Sequence, residues 1–212
     1  MQADFEGYYA RFDTKSKNAA LLTGADVLVG DEFSYEYKTV EGQTLAFLVN
    51  RFGAEIGFFN AQNTRQLQLY DARGWTVRLL LSFVAYSDHS ESEGYWGQVA
   101  VLSYPAECSE LFEQFVKKTG EALAEGKRVD VNIGVQGIQN IVQSNGEWFT
   151  SATVPDPQFD SGTVMMKSRR SLSEKMIEQG RAGNKGCYVV SWAFIIVVVI
   201  LAIFGLRSCG LF

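Results

Sequence analysis

The chain of 212 residues has little of what most chemistry needs: one His, three Cys that lie far apart, and only three Pro. A single imidazole and scattered thiols leave no material for a Cys or His zinc site. It also lacks the GxxxxGK[ST], GxGxxG, HExxH and GxSxG patterns of phosphate-binding, dinucleotide-binding, metalloprotease and hydrolase sites. No cofactor and no catalytic residue is therefore expected. Basic charge is scarce in one part only. Residues 1–160 hold 12 basic and 22 acidic side chains, net −10, whereas residues 161–212 hold 7 basic and 2 acidic, net +5. An acidic body argues against a broad nucleic-acid-binding face.

Apolar residues are abundant, at 47% with 13% aromatic, so most of the chain is expected to fold. From Tyr188 to Leu206 run 19 consecutive uncharged residues, 13 of them Val, Ile, Leu or Phe. As a helix this stretch is about 28 Å long, which matches a hydrocarbon core of about 30 Å. Its apolarity on every side, without a polar face, marks a membrane span rather than a buried core helix. The acidic start, MQADFEGYY, lacks the basic and apolar regions of a signal peptide.

Arg169, Arg170, Lys175, Arg181 and Lys185 precede the span, and only Arg207 follows it. This bias predicts a single-pass, tail-anchored arrangement with residues 1–187 cytoplasmic and 207–212 across the membrane. Tyr188 and Trp192 fall where interfacial aromatic rings are favoured. The five cations are the expected contacts to the membrane surface, each contributing about 1 kcal/mol beside an anionic leaflet. A solvated connector that only fixes topology is the competing reading. Before the span, Ser171-Leu-Ser-Glu174 reads as a capping box opening a short helix to about Ala182, with Leu172, Met176 and Ile177 as its apolar stripe. Cys187, at the membrane edge, is a palmitoylation candidate, though a free or buried thiol is the favoured reading; Cys209 is a candidate for pairing between copies.

The rest reads as an α+β domain over residues 1–149, joined by a linker and basic helix (150–187) to the span. Strand-like segments are expected at 25–29, 33–40, 44–50 and 55–59, then a helix over 61–73 capped by Asn60. The run LLLSFVAY within 75–87 indicates a long buried strand paired with 95–104 across a polar loop. The amphipathic stretch 105–125 predicts the main helix, with Phe112, Phe115, Val116 and Leu123 facing a sheet. A strand over 128–135, a short helix over 136–144 and an edge strand near 164–166 complete the expectation of a mainly antiparallel sheet or barrel with packed helices.

Asp88-His89-Ser90 has triad residue types, but neighbours inside one polar loop cannot place a base between nucleophile and orienter. Asp88, Glu91 and Glu93 lack the central Gly and alternating oxygen ligands of a calcium loop. Cys108 opens the main helix and reads as a packing thiol.

The order ADVLVG, LAFLVN, GAEIGFF, a short Gln-Leu-containing helix and WTVRLLLSFV, over residues 25–87, resembles the HIRAN domains, with Glu55-Ile56-Gly57-Phe58 similar to the family's "IGY" strand. The family's Asp-Pro-x-Ala-Ile stretch has no counterpart, since Leu45 to Asn50 runs directly into Arg51-Phe52-Gly53. The resemblance implies a small β-barrel over about 25–104 and, as in helicase-like proteins, single-stranded DNA ends as a ligand class. Set beside the anchor, the leading expectation is a non-catalytic module presented on a lipid bilayer, binding a protein partner or its own copy. The alternatives are a nucleic-acid-binding module, an accessory subunit of a membrane complex, and an enzyme with a site that carries no motif.

Overall fold

A computed structural model describes residues 3–15, 18–88, 94–159, 161–181 and 194–198, in two compact units, 1–170 and 171–212. The first is a mixed α/β domain built on a closed six-stranded antiparallel barrel. Its strands are β1 (Glu6–Asp13), β2 (Glu32–Val40), β3 (Gln43–Val49), β4 (Glu55–Phe58), β5 (Trp75–Ser87) and β6 (Gly94–Pro105). They run in the order β2-β3-β4-β1-β6-β5 and close through β2–β5 pairing at Glu32↔Leu80 and Phe33↔Leu79. A seventh strand, β7 (Thr163–Lys167), extends the sheet from β5.

Alternation explains the closure. Ala10 and Phe12 of β1, Ala46 and Leu48 of β3, Leu79 and Leu81 of β5, and Val99 and Val101 of β6 all point into one buried interior. Side chains fill this barrel as they fill other small ones. Two glycines flank Phe12 closely: a Cβ at Gly97 would come 2.5 Å from the Phe12 ring, and one at Gly57 equally close. These glycines have packing roles, making room for one aromatic ring.

The opposite faces of β5 and β6 are also covered. Leu80, Ala100, Leu102 and Tyr104 form a second core with Phe112, Phe115, Val116 and Leu123 of the main helix, α3 (Ser109–Ala124). Burial on both sides is why β5 reads as an unbroken apolar run rather than an alternating one. Four apolar side chains buried from α3 contribute roughly 6 to 12 kcal/mol before the entropy of ordering them. In chain order the helices are α1 (Ala19–Thr23), α2 (Ala61–Ala72), α3 (Ser109–Ala124), α4 (Gly134–Gln143) and α5 (Leu172–Arg181). The Asn60 side chain accepts from the Asn63 N–H as the expected cap of α2, which gives Leu67 and Tyr70 to the barrel interior.

Four expectations differ from the fold. Residues 6–13, within a stretch without a clear pattern, form the strand that closes the barrel on β6, from Glu6↔Ser103 to Asp13↔Trp96. Residues 25–29 are a buried loop rather than a strand. Val27, Leu28 and Val29 are at most 1% exposed, and the Asp31 carboxylate accepts from the Leu28 N–H, so a local side-chain bond replaces strand pairing. Residues 128–135 make only the isolated bridge Val129↔Thr153 before α4 begins at Gly134. The main helix also starts later, because Pro105 still pairs with Trp75 and residues 106–108 form a 3-10 turn. The edge strand near 164–166 is present as β7.

Candidate functional site

The elements above bring charged residues from four parts of the sequence to one cleft of about 310 Å3 beside α3. Gly30 and Gly120 let loop 24–31 and α3 approach closely, since a Cβ at Gly30, whose φ is +83°, would meet the Gly120 carbonyl oxygen. Along the cleft Arg78 of β5 binds Glu32 through two nitrogens, one at 2.7 Å, and Glu113 of α3 at 3.3 Å. The two carboxylates and Arg78 thus bridge barrel to helix, and Glu32 holds the guanidinium protonated well above its usual range against the opposing effect of burial. At the other end Arg170 donates to the Val29 carbonyl at 2.7 Å and to Asp31 at 3.0 Å.

The Tyr104 hydroxyl lies beneath this network. It is fully buried and has no hydrogen-bond partner among the described residues. Burial raises its pKa while Arg78 pulls the other way. The described cleft lining offers carboxylates and cations but no hydroxyl, thiol or imidazole. Such a surface can bind a charged or zwitterionic group; it holds no nucleophile with a neighbouring base.

Arg128 performs a structural task on the neighbouring face. Its guanidinium sits 4.6 Å from the Tyr9 ring centre, donates to Gln98 Oε1 at 2.6 Å and to the Pro155 carbonyl, and thereby fastens 128–155 to the barrel. Burial lowers its pKa, and burial pushes that of Tyr9 up to about 12. On the far side Tyr35 and Tyr37 each donate to the Asp71 carboxylate at 2.6 Å, tying the end of α2 to β2. Burial, then Asp71, keeps both phenols protonated far into alkaline pH.

The expected membrane contacts separate. Arg169 is exposed, whereas Arg170 is half-buried and engaged with Asp31. Lys175 is exposed on α5. The Arg181 side chain, Lys185, Tyr188 and Trp192 lie outside the described residues, as do Cys187, Cys209, His89, Ser90, Glu91 and Glu93. The capping box forms: Glu174 N–H donates to Ser171 Oγ at 3.2 Å, and Ser171 N–H to Glu174 Oε2 at 2.8 Å. Cys108 is buried, and burial followed by Glu107 raises its pKa, which makes it a poor nucleophile.

Among the described residues no group of three or more His, Cys, Asp or Glu could hold a metal ion, and no helix is long and apolar enough to cross a membrane; of residues 188–206 the description covers a helical turn, 194–198. Sequence reasoning missed the cleft. Arg78, Glu113, Asp31 and Arg170 are separated by tens of residues, and the only local signal was an Arg inside an otherwise apolar strand. No family model, no curated protein and no solved structure matches the chain.

Proposed function

We propose that this protein is a membrane-tethered interaction module: a single helix over 188–206 spans the bilayer, and the barrel unit faces the cytoplasm and binds a protein partner or a second copy of itself. The observation that carries the reading is the 19-residue uncharged run preceded by five cations. Helix α5 supports it, because Leu172 and Met176 are 82% and 71% exposed beside Lys175, the character of a helix that lies in a lipid interface. Tethering raises the barrel's effective concentration near other membrane components without any new contact. The mixed-charge cleft of Arg78, Glu113 and Arg170 is the surface offered to a charged segment of the partner.

The test is fractionation of lysed cells. The full chain is expected in the membrane pellet after an alkaline carbonate wash and in the detergent phase on extraction, with a C-terminal tag shielded from protease added on the cytoplasmic side. Recovery in the supernatant without detergent overturns the anchor. Affinity purification from detergent that returns only monomeric bait overturns the interaction role.

A second reading, binding of single-stranded nucleic acid as in the HIRAN-like proteins, draws on the closed antiparallel barrel. The net −10 of residues 1–160 opposes it, because phosphate contacts dominate such affinity. Titration of labelled single-stranded DNA with residues 1–170 at low salt decides: no salt-dependent binding removes this reading.

A further inference from the structure

A closed barrel has no free strand edge, but β7, added outside it, opens one. On the side of β5 away from β6, β2 pairs at Leu79 and Leu80, and β7 takes over from Val84 to Ser87. Among the described residues no strand pairs with the other side of β7, which ends the seven-stranded sheet. Asp88 N–H donates to the Gly162 carbonyl at 3.1 Å. Alternation from that bond makes Val164 the residue that exchanges backbone bonds with Tyr86, so Thr163 and Met165 turn their N–H and C=O groups to the open edge. The irregularity in this pairing falls beyond Met165, and 163–165 stay in register.

Edge strands are normally guarded by an outward Lys, a Pro or a covering loop. β7 has no Pro, and its one charge is withdrawn: Lys167 donates to the Gly24 and Val27 carbonyls at 2.6 and 3.0 Å. The side chains it shows to solvent are apolar, Val164 at 58% and Met166 at 47% exposed. They alternate with Met165, which packs with Phe83 and Trp96, and with Thr163, whose hydroxyl meets Ser87 Oγ at 2.8 Å. The strand is thus fastened to the barrel along one edge and open along the other.

We propose that β7 pairs antiparallel with β7 of a second copy, joining two barrel units through one sheet with a two-fold axis at Val164. This rests on the interaction reading above and deepens it, choosing the second copy over a partner protein and naming the surface. Charge order carries the choice. In sequence Asp156 and Asp160 precede β7, while Lys167 and Arg169 follow it. Antiparallel self-pairing lays the acidic approach of one copy along the basic departure of the other. The register agrees: with the axis at Val164, Thr163 and Met165 of one copy exchange backbone bonds with Met165 and Thr163 of the other, the residues that face the open edge. The two Val164 side chains then stand directly opposite at the closest cross-strand spacing, and Met166 of each copy lies diagonal to them.

Cross-linking tests the register. The full chain carrying Cys187→Ser and Cys209→Ser, with buried Cys108 retained, is reconstituted into phosphatidylcholine vesicles and oxidised with copper phenanthroline. Val164→Cys is expected to give a disulfide-linked dimer, because opposed residues of a non-hydrogen-bonded pair have the Cα spacing that a disulfide needs. Val135→Cys, at a position 72% exposed on α4, is the control and is expected to stay monomeric. Equal cross-linking at the two positions overturns the pairing.

Copies with different tags test the same contact without cysteine. Wild-type copies are expected to co-purify from membranes in mild detergent. Val164→Lys in both copies abolishes this, as does Val164→Glu in both, because like charges then face each other across the axis. Copies carrying Val164→Lys mixed with copies carrying Val164→Glu co-purify again, and near-ultraviolet circular dichroism stays that of the wild type throughout. Co-purification that survives Val164→Lys overturns the edge pairing and leaves self-association through another surface. Wild-type copies that do not co-purify overturn the choice of a second copy; recovery of bait that is monomeric and alone overturns the interaction reading with it.

Discussion

The barrel unit and the segment after Arg170 treat apolar side chains in opposite ways. In the barrel unit many of the largest are hidden: Phe12, Phe47, Phe83, Phe112 and Phe115 are at most 2% exposed, although Phe52, Val135, Val142 and Val164 are at least 50% exposed. In the described part of the second unit Leu172, Met176 and Phe194 to Val198 are between 40% and 82% exposed, Ile177 included. Where apolar surface is inside, composition and pattern report a fold; where it is outside and contiguous, they report the medium around it.

The comparison breaks most decisively if deletion of 171–212 leaves the protein in the membrane pellet. The expected outcome is complete transfer to the supernatant with the near-ultraviolet circular dichroism of the barrel retained. Next in size is Phe12→Ala, which empties the space that Gly57 and Gly97 leave for the ring and is expected to cost about 3 to 5 kcal/mol in denaturant unfolding of residues 1–170. A loss below 1 kcal/mol there would mean that the barrel interior is not the stabilising core.

Arg170→Ala sharpens the boundary between the two units. Asp31 is 9% exposed, and losing its charged partner is expected to cost about 1.5 to 3 kcal/mol in the same measurement, while membrane partition of the full chain stays unchanged. A loss of partition instead would return Arg170 to the membrane-contacting set. Exposed Arg73→Ala, which removes the 3.5 Å pair with Glu6, is expected to cost only about 0.2 to 1 kcal/mol.

Alkaline titration tests the barrel alone. Tyr9 has its pKa raised to about 12 from 10, and Tyr8, Tyr35, Tyr37, Tyr70 and Tyr104 are shifted upward as well. The folded state keeps these protons where the unfolded chain loses them, so stability is fully present below pH 10 and falls as pH rises toward 12. Tyrosinate absorbance should rise together with loss of structure in that window. Titration near pH 10 with the fold intact would show the rings to be solvated.

How much of this was legible followed from distance along the chain. Helices α2 and α3, the β5 run and the capping box at Ser171 depend on neighbours within a few residues, and local pattern exposed them. β1 alternates Tyr8, Ala10 and Phe12 inward, but Tyr9 and Arg11 on the other face blur the signal, and its partner β6 lies about ninety residues on. Segment 25–29 has strand composition, yet Asp31 satisfies its backbone and Gly30 bonds to Leu81, so it crosses the sheet as a loop. The cleft required Glu32, Arg78 and Glu113 to meet across three elements, which no window of sequence contains. The cations before the apolar run read alike in sequence, and only packing separates exposed Arg169 from occupied Arg170.

That occupied arginine has a mechanical meaning. Lys167 and Arg170 clamp the chain to loop 24–31 through four bonds before it departs. A pull on the chain beyond Arg170 would meet these four bonds before the pairing of β7 with β5, so they stand in series ahead of the barrel.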